Sequence, residues 1–340
     1  MKDNKYQITI IIPVHNEERY LSACLESVLE QKGVEYEVIV IDDCSTDSTP
    51  QILEEFTKRQ NRIKIIKNKK NIGQGLSRNI GLENANGRYI LFLDADDYLE
   101  INALADLIVT IDKEYPDLIF FSHYLVYEDG HREEASQQSV FKQSKFNDIE
   151  QLKDKLINIF HVPWNKIYKK EYLDQIGFHF PPGNYEDIFC SFKALLEANS
   201  ICLLDHALYN YRLRPGTVYR KPNRKTDSVN HNHVFQRYDE LFEYLRSNKK
   251  HNKYIPHFYI KMLSQLAGVL CVRLPTDSRV RHSFFNKIVQ YSKKYDPGAY
   301  IYVNYRTRIN RYLIKYEQMN ALIMLNTIYT KLLLLKSAFR

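Results

Sequence analysis

The stretch from Arg88 to Asp97 leaves few architectures open to this chain. Five apolar residues, Tyr89 to Leu93, follow soon after Gly87 and stop abruptly at Asp94, Ala95, Asp96 and Asp97. An apolar run this short reads as a strand buried on both faces, and such strands belong to parallel sheets covered by helices. Open sheets of that kind bind their ligands beyond the carboxyl ends of the strands. Carboxylates crowded there repel one another and call for positive charge. A divalent cation meets the need, because it takes hard oxygen ligands and bridges to phosphates. Taken alone, the same residues also fit a solvated acidic turn that opens the next helix with Asp97 as its cap.

The flanking sequence repeats the pattern. Ile8 to Ile12 reads as a strand ending at Pro13, and the loop Val14-His-Asn-Glu-Glu18 follows. Tyr20, Leu21, Cys24, Leu25, Val28 and Leu29 then recur at helical spacing up to Gly33. Val38 to Ile41 is a second strand, stopped by Asp42-Asp-Cys-Ser-Thr-Asp47, with a helix from about Thr49 that carries Pro50 in its first turn. Ile63 to Ile66 is a third strand. The loop Asn71-Ile-Gly-Gln-Gly-Leu-Ser-Arg-Asn79 leads from it into a helix that ends near Gly87. Strands alternating with helices in this way predict an α/β fold, a doubly wound parallel sheet with right-handed crossovers.

Beyond Asp97 the expectations are a helix over 101–115, a strand over 118–127 and a hairpin turn at Asp129-Gly130. A polar loop or edge strand over 131–146 and a helix over 149–160 come next. Pro181-Pro-Gly183 is a turn, and Asn184-Tyr-Glu-Asp187 opens a helix through Leu196. Short strands over 201–204 and 208–211 close this half of the chain. From about Thr226 the pattern is mainly helical, over 234–245, 259–272, 284–294 and 319–335.

Five scattered cysteines without a C-x-x-C pair argue against a disulfide framework or a zinc site, and for a reducing, cytoplasmic setting. The polar N-terminus has no signal-peptide core, and no apolar run reaches the about 18 residues of a transmembrane helix. Charge is split. Residues 241–340 hold 18 Lys and Arg against 4 Asp and Glu, leaving 30 basic and 37 acidic residues in the first 240. An acidic body with a basic tail suits two different partners, the tail a phosphate-rich surface. No recognisable nucleic-acid module accompanies the basic residues, so no nucleic-acid partner is expected.

Four segments stand in one order, each after a strand: Ile12-Pro-Val-His-Asn-Glu17, Asp42-Asp-Cys-Ser-Thr-Asp47, Gly75-Leu-Ser-Arg-Asn79 and Leu93-Asp-Ala-Asp-Asp97. Together they resemble the inverting family 2 glycosyltransferases with the GT-A fold. The chain is similar in particular to bacterial enzymes that build capsules, exopolysaccharides and lipopolysaccharides or decorate teichoic acids. Trp164-Asn-Lys-Ile-Tyr168, Tyr185-Glu-Asp187 and Tyr211-Arg-Leu-Arg-Pro-Gly-Thr217 add to the likeness, which covers roughly residues 6–220. It implies a GT-A catalytic domain over 1–220, with a nucleotide-sugar half over about 1–100 and an acceptor half over about 101–220. A basic helical region follows over 221–340.

The resemblance also implies roles. Pro13, His15, Asn16 and Glu17 lie against the nucleotide. Asn16 and Glu17 equally suit helix capping. Asp43, an acceptor-only carboxylate, takes the uracil imide, while Asp42 and Asp47 shape the turn. Arg78 contacts the donor's diphosphate or ribose. Asp94, Ala95 and Asp96 form the D-x-D element, with Asp96 and Asp94 holding Mn2+ or Mg2+. Asp187 is the general base, and Glu186 orients it or binds acceptor. Trp164 stacks on an acceptor sugar or belongs to the core. From the residues themselves, Arg212 and Arg214 before a Pro-Gly turn offer a lid over the diphosphate, and His206 and His231 a further metal or phosphate contact or, as lone histidines more often are, structural groups.

The implied reaction moves a sugar from a UDP-sugar to a glycan, lipid-linked or polyol-phosphate acceptor, by single displacement. The apolar helix over 321–335 and its basic flanks suit packing, homo-oligomerisation or peripheral contact with an anionic membrane. Two rivals remain. A nucleotidyltransferase shares the acidic metal ligands, but lacks here its Gly-rich basic loop after strand one. A non-catalytic carbohydrate-binding relative is opposed by the intact Asp94, Asp96 and Asp187.

Overall fold

The computed structural model describes residues 6–135, 148–157, 161–214, 230–274, 277–298 and 305–326. They divide into two compact units, Met1–Arg214 and Pro215–Arg340.

In the first unit, β1 (Tyr6–Val14), α1 (Leu21–Leu29), β2 (Tyr36–Asp42), α2 (Thr49–Arg59), β3 (Ile63–Lys67), α3 (Gln74–Asn84) and β4 (Gly87–Phe92) alternate as their apolar periods require. β2 is buried along its whole length, and β1 and β4 over nearly all of theirs, as strands covered on both faces must be. Each fully buried Ile or Leu in them contributes about 1.5–3 kcal/mol over leaving it exposed. β3, at the edge, is only partly buried and carries Lys64 and Lys67, charges that discourage further pairing. α3 packs on β1 and β2 through a face that includes Gly81. A Cβ there would stand 2.4 Å from Ile11 Cγ2, so only glycine lets helix and sheet meet this closely.

The chain continues through β5 (Tyr98–Leu99), α4 (Ala103–Glu114), β6 (Leu118–Val126), β7 (Arg132–Glu134), α5 (Ile149–Leu156), β8 (Lys166–Lys169), α6 (Lys170–Gln175), α7 (Asp187–Glu197) and β9 (Ile201–Arg212). The strand order is β3-β2-β1-β4-β8-β6-β9-β5, with β7 on β6. β3, β2, β1 and β4 are mutually parallel, and so are β6 and β9; β8 lies antiparallel between β4 and β6. The sheet is therefore mixed, and its doubly wound part is the first four strands. The two short strands expected over 201–211 are one strand. Its pairing slips between Phe121–Leu204 and Ser122–Ala207, leaving Asp205 and His206 outside the ladder. The expected hairpin at Asp129-Gly130 joins β6 to β7. Of the polar stretch over 131–146 only the part to Ala135 is described, and Phe160 of the expected helix also lies outside the described residues.

A polar knot ties the amino ends of the central strands. Thr9 donates to Glu37 Oε1 (2.7 Å) and accepts the Gly87 N–H (2.8 Å), while Glu37 Oε1 also accepts the Asn86 N–H (2.6 Å). The carboxyl ends are left to the acidic residues.

The second unit is helical: α8 (His233–Ser247), α9 (Ile255–Gly268), α10 (Ser278–Tyr295) and α11 (Tyr305–Lys315). α9 runs on into a π-turn over Val269–Arg273. Val234, Tyr238, Leu241, Phe242, Phe258, Met262 and Leu266 form its core. Asp239 accepts the hydroxyls of Tyr291 and Tyr295 and the Lys294 ammonium (2.7 Å). The expected helix from Met319 begins as such; residues 327–335 of it lie outside the described residues. Among the described residues no helix is long and apolar enough to cross a membrane.

Candidate active site

Where β4 leaves the sheet, Asp94, Asp96 and Asp97 bring one carboxylate oxygen each within 4.8 Å of one another. Their surroundings separate them. Asp97 is fully buried; its oxygens accept the Tyr209 hydroxyl (2.6 Å) and the Arg212 N–H (2.8 Å). Burial, with the charges of Asp96 and Asp94, pushes its carboxyl well above the usual range. It caps no helix, because Tyr98–Leu99 is a strand. Tyr209 also accepts the Asp94 N–H (3.2 Å), so β9 holds the corner on which the acids stand. Ala95 is buried in the core.

Asp94 Oδ1 accepts from Arg78 Nη2 (2.7 Å) and Gln74 Nε2 (2.9 Å). Asp96 Oδ2 meets Arg214 Nε at 2.8 Å. Burial and the charges of Asp94 and Glu17 lift Asp96 to about 6, with Arg214 pulling the other way. Asp97 has both oxygens engaged within the chain, so Asp94 and Asp96 are the carboxylates whose chemistry fits a hard divalent cation.

The loop after β1 is built on tertiary contacts rather than on helix capping. Pro13 is buried within β1, opposite Ile41. His15 Nδ1 lies 2.9 Å from the Asp43 carbonyl oxygen. Asn16, at φ 56°, gives its N–H to Ser45 Oγ (3.0 Å) and accepts the Thr46 N–H (2.7 Å). Glu17 receives both Nη groups of Arg214 at 2.7 Å. The capping reading of Asn16 and Glu17 is therefore corrected: α1 starts at Leu21, with Tyr20 at its cap position. Glu17's carboxyl is raised by burial, against the pull of Arg214.

Asp43 is buried, and its carboxylate accepts Asn68 Nδ2 (2.8 Å), the Ile72 N–H (2.9 Å) and the Gly73 N–H (2.8 Å). Three of a carboxylate's about four acceptor sites are thus spent on fixing the loop into α3. Asp42 accepts the Ser45 N–H, and Asp47 the N–H groups of Thr49 and Glu18, the turn-shaping parts expected of them.

Arg78 departs most from expectation. It is 2 % exposed and lies between Asp94 and Glu186 Oε1, which Nη1 reaches at 3.0 Å. Burial opposes its charge, but Asp94, Glu186 and Asp187 outweigh burial and raise its proton affinity. Both terminal nitrogens bond carboxylates, so Arg78 is a clamp between two acids. Glu186 packs on the start of α3, where a Cβ on Gly75 would lie 2.6 Å from Glu186 Cγ. Asp187 is the first residue of α7, half-buried, with its charge felt at Arg78 and Lys166.

Trp164 is 5 % exposed, stacked on Tyr209 at 4.4 Å and Tyr211 at 5.3 Å between ring centres; of its two readings, core is the one it occupies. His206 pairs with Asp106 (3.1 Å), apart from the acids, and His231 lies in the second unit. Of the lid segment, Arg212 and Arg214 are described, and 215–217 lie outside the described residues. Sequence reasoning missed Gln74, Asn79, Lys166 and Tyr209. Gln74 and Asn79 stood inside the quoted Gly-rich loop, but nothing in the one-dimensional pattern indicates their partners.

A family model for glycosyl transferase family 2 matches residues 9–177. The chain is 30% identical over 225 residues to the glycosyltransferase GlyA of Streptococcus pneumoniae, across 63% of this chain and 32% of that protein. It is 32% identical over 210 residues to TarS of Staphylococcus aureus, a poly(ribitol-phosphate) beta-N-acetylglucosaminyltransferase, across 60% of this chain and 35% of that protein. The chain thus spans about a third of these relatives' length. The crystal structure of S. aureus TarS 1-349 in complex with UDP-GlcNAc is similar with a TM-score of 0.55 and 25% identity, covering 94% of this chain and 84% of that one.

Proposed function

We propose, from the premise that this chain belongs to glycosyl transferase family 2 through residues 9–177 and has the GT-A fold, that it transfers a sugar from a UDP-sugar to a hydroxyl of a cell-surface polysaccharide or teichoic-acid acceptor. The carrying observation is the convergence of Asp94, from the end of β4, with Glu186 and Asp187, from the start of α7, about the buried Arg78 guanidinium, with Asp96 beside Asp94. Two carboxylate pairs from distant parts of the sequence are what a displacement at a sugar carbon needs. One pair serves the leaving diphosphate and the other the attacking hydroxyl.

In this reading Asp187 takes the proton of the acceptor hydroxyl. The acceptor oxygen then bonds to the anomeric carbon on the face opposite the diphosphate. The bond from that carbon to the phosphate oxygen breaks, UDP leaves with the electron pair, and the configuration inverts. Asp94 and Asp96 are the residues to hold a divalent cation, Mn2+ or Mg2+, which when bound neutralises charge on the leaving diphosphate. Asp43 and the loop His15-Asn16-Glu17 receive the nucleotide, and the fourth acceptor site of Asp43 suits the uracil imide. UDP as the nucleotide is supported by the TarS structure with UDP-GlcNAc. The catalytic part is assigned to residues up to Arg214. The basic helical remainder is assigned to peripheral contact with an anionic surface on the cytoplasmic side, where lipid-linked acceptors lie.

Asp187→Asn tests the base. Transfer is expected to fall by about 10²–10⁴-fold with UDP affinity within about twofold of wild type. Unchanged turnover would remove Asp187 from the role.

A further inference from the structure

The segment that delivers Glu186 and Asp187 is anchored to α3 at both of its ends. At the far end the Asn79 side chain treats Phe180 as a strand partner. Its Nδ2 donates to the Phe180 carbonyl oxygen and its Oδ1 accepts the Phe180 N–H, both at 2.8 Å. The Phe180 ring is fully buried, edge-on to Phe92 of β4 (5.3 Å) and to Phe178 (5.2 Å), with the Arg78 guanidinium 5.3 Å from its centre. At the near end Arg78 holds Glu186, which is seated on Gly75. Pro181 and Pro182 stiffen the span between, and α7 begins at Asp187 without slack. The same helix fixes the donor-side acid, through Arg78 and Gln74 to Asp94.

We propose that Asn79, together with Arg78, is a positioning residue: through Phe180 and Glu186, α3 sets the place of Asp187 against the acids at the end of β4. This rests on the reading of Asp187 as the base. Asn79 bonds two backbone groups of the acceptor-side segment, so its loss loosens that segment while leaving the donor-side contacts of Gln74 and Arg78 in place. A displacement of even about 1 Å costs roughly 100-fold in rate, because the reacting atoms must be held in line.

The experiment compares the full wild-type chain with Asn79→Ala and Asn79→Asp, the second keeping the acceptor for the Phe180 N–H. Three quantities are read: amide hydrogen exchange over 180–190 without substrate, UDP affinity by calorimetry, and kcat with KM for transfer. In Asn79→Ala, exchange over 180–190 is expected to quicken by about 10-fold or more. Its kcat should drop by about 10–100-fold while UDP affinity stays within about twofold. Asn79→Asp, which sets a carboxylate oxygen against the Phe180 carbonyl, should also quicken exchange over 180–190 and lower kcat, and it carries the comparison if the alanine variant does not fold. Unchanged exchange over 180–190, or UDP affinity falling as far as kcat, overturns the proposal. A wild-type chain without transfer activity refutes the functional reading but leaves the exchange result to decide whether α3 holds this segment.

Discussion

A guanidinium as deeply buried as that of Arg78 keeps its charge, and the surrounding carboxylates offset the cost of burying it. Asp94 and Glu186 supply that company, and removing Arg78 would leave both carboxylates without their shared cation. Lys166 is the opposite case. Its ammonium is buried, with the Val162 carbonyl and Asn165 Oδ1 (2.6 Å) as acceptors, and burial lowers it to about 7. Below about pH 7 folded and unfolded chains both carry the proton, and the folded chain bears the full cost of burying it. Between about 7 and 10.5 the folded chain releases the proton while the unfolded chain keeps it, so stability rises with pH. Urea unfolding of wild type and Lys166→Met between pH 7.5 and 9.5 should therefore show wild type gaining on the variant by up to about 1.4 kcal/mol per pH unit. A pH-independent difference would mean that Lys166 titrates as an ordinary lysine. At this scale the sequence revealed charge and hid its partners. Asp94 and Asp96 were legible because an apolar strand stops at them. The burial of Arg78 was not, because helical spacing shows no face that receives a partner 108 residues away.

Elements whose apolar period spans their length were legible: β1, β2, β3 and β4 and the helices between them. β8 was not, since four residues with lysine at each end carry no period, and its place between β4 and β6 depends on pairing across the chain. β9 was split in expectation because Asp205 and His206 interrupt it; the bulge against β6 keeps it one strand and carries Tyr209 to the acid corner. Removing that hydroxyl strips buried Asp97 of one donor and the Asp94 N–H of its acceptor. Tyr209→Phe should lower the free energy of unfolding by about 1–3 kcal/mol while keeping the ring packed on Trp164. A loss under about 0.5 kcal/mol in chemical unfolding would show that β9 does not hold the corner through this group.

For the whole molecule, the division of charge between the first 240 residues and the last 100 was readable from the sequence, and the boundary between compact units falls after Arg214. If the basic part meets an anionic surface, the full chain should sediment with phosphatidylglycerol vesicles and not with phosphatidylcholine vesicles. Binding should weaken several-fold between about 0.05 and 0.3 M salt, as screening requires. Salt-independent or lipid-indifferent binding would assign that surface elsewhere. The proposed nucleotide and sugar chemistry rests on the acids at the end of β4, and one assay tests it directly: UDP release from a panel of UDP-sugars with Mn2+, with Mg2+ and with EDTA, for wild type and Asp96→Asn. Release from one sugar that needs the metal and is lost in Asp96→Asn is the predicted result. No release and no UDP binding under any condition would contradict the account.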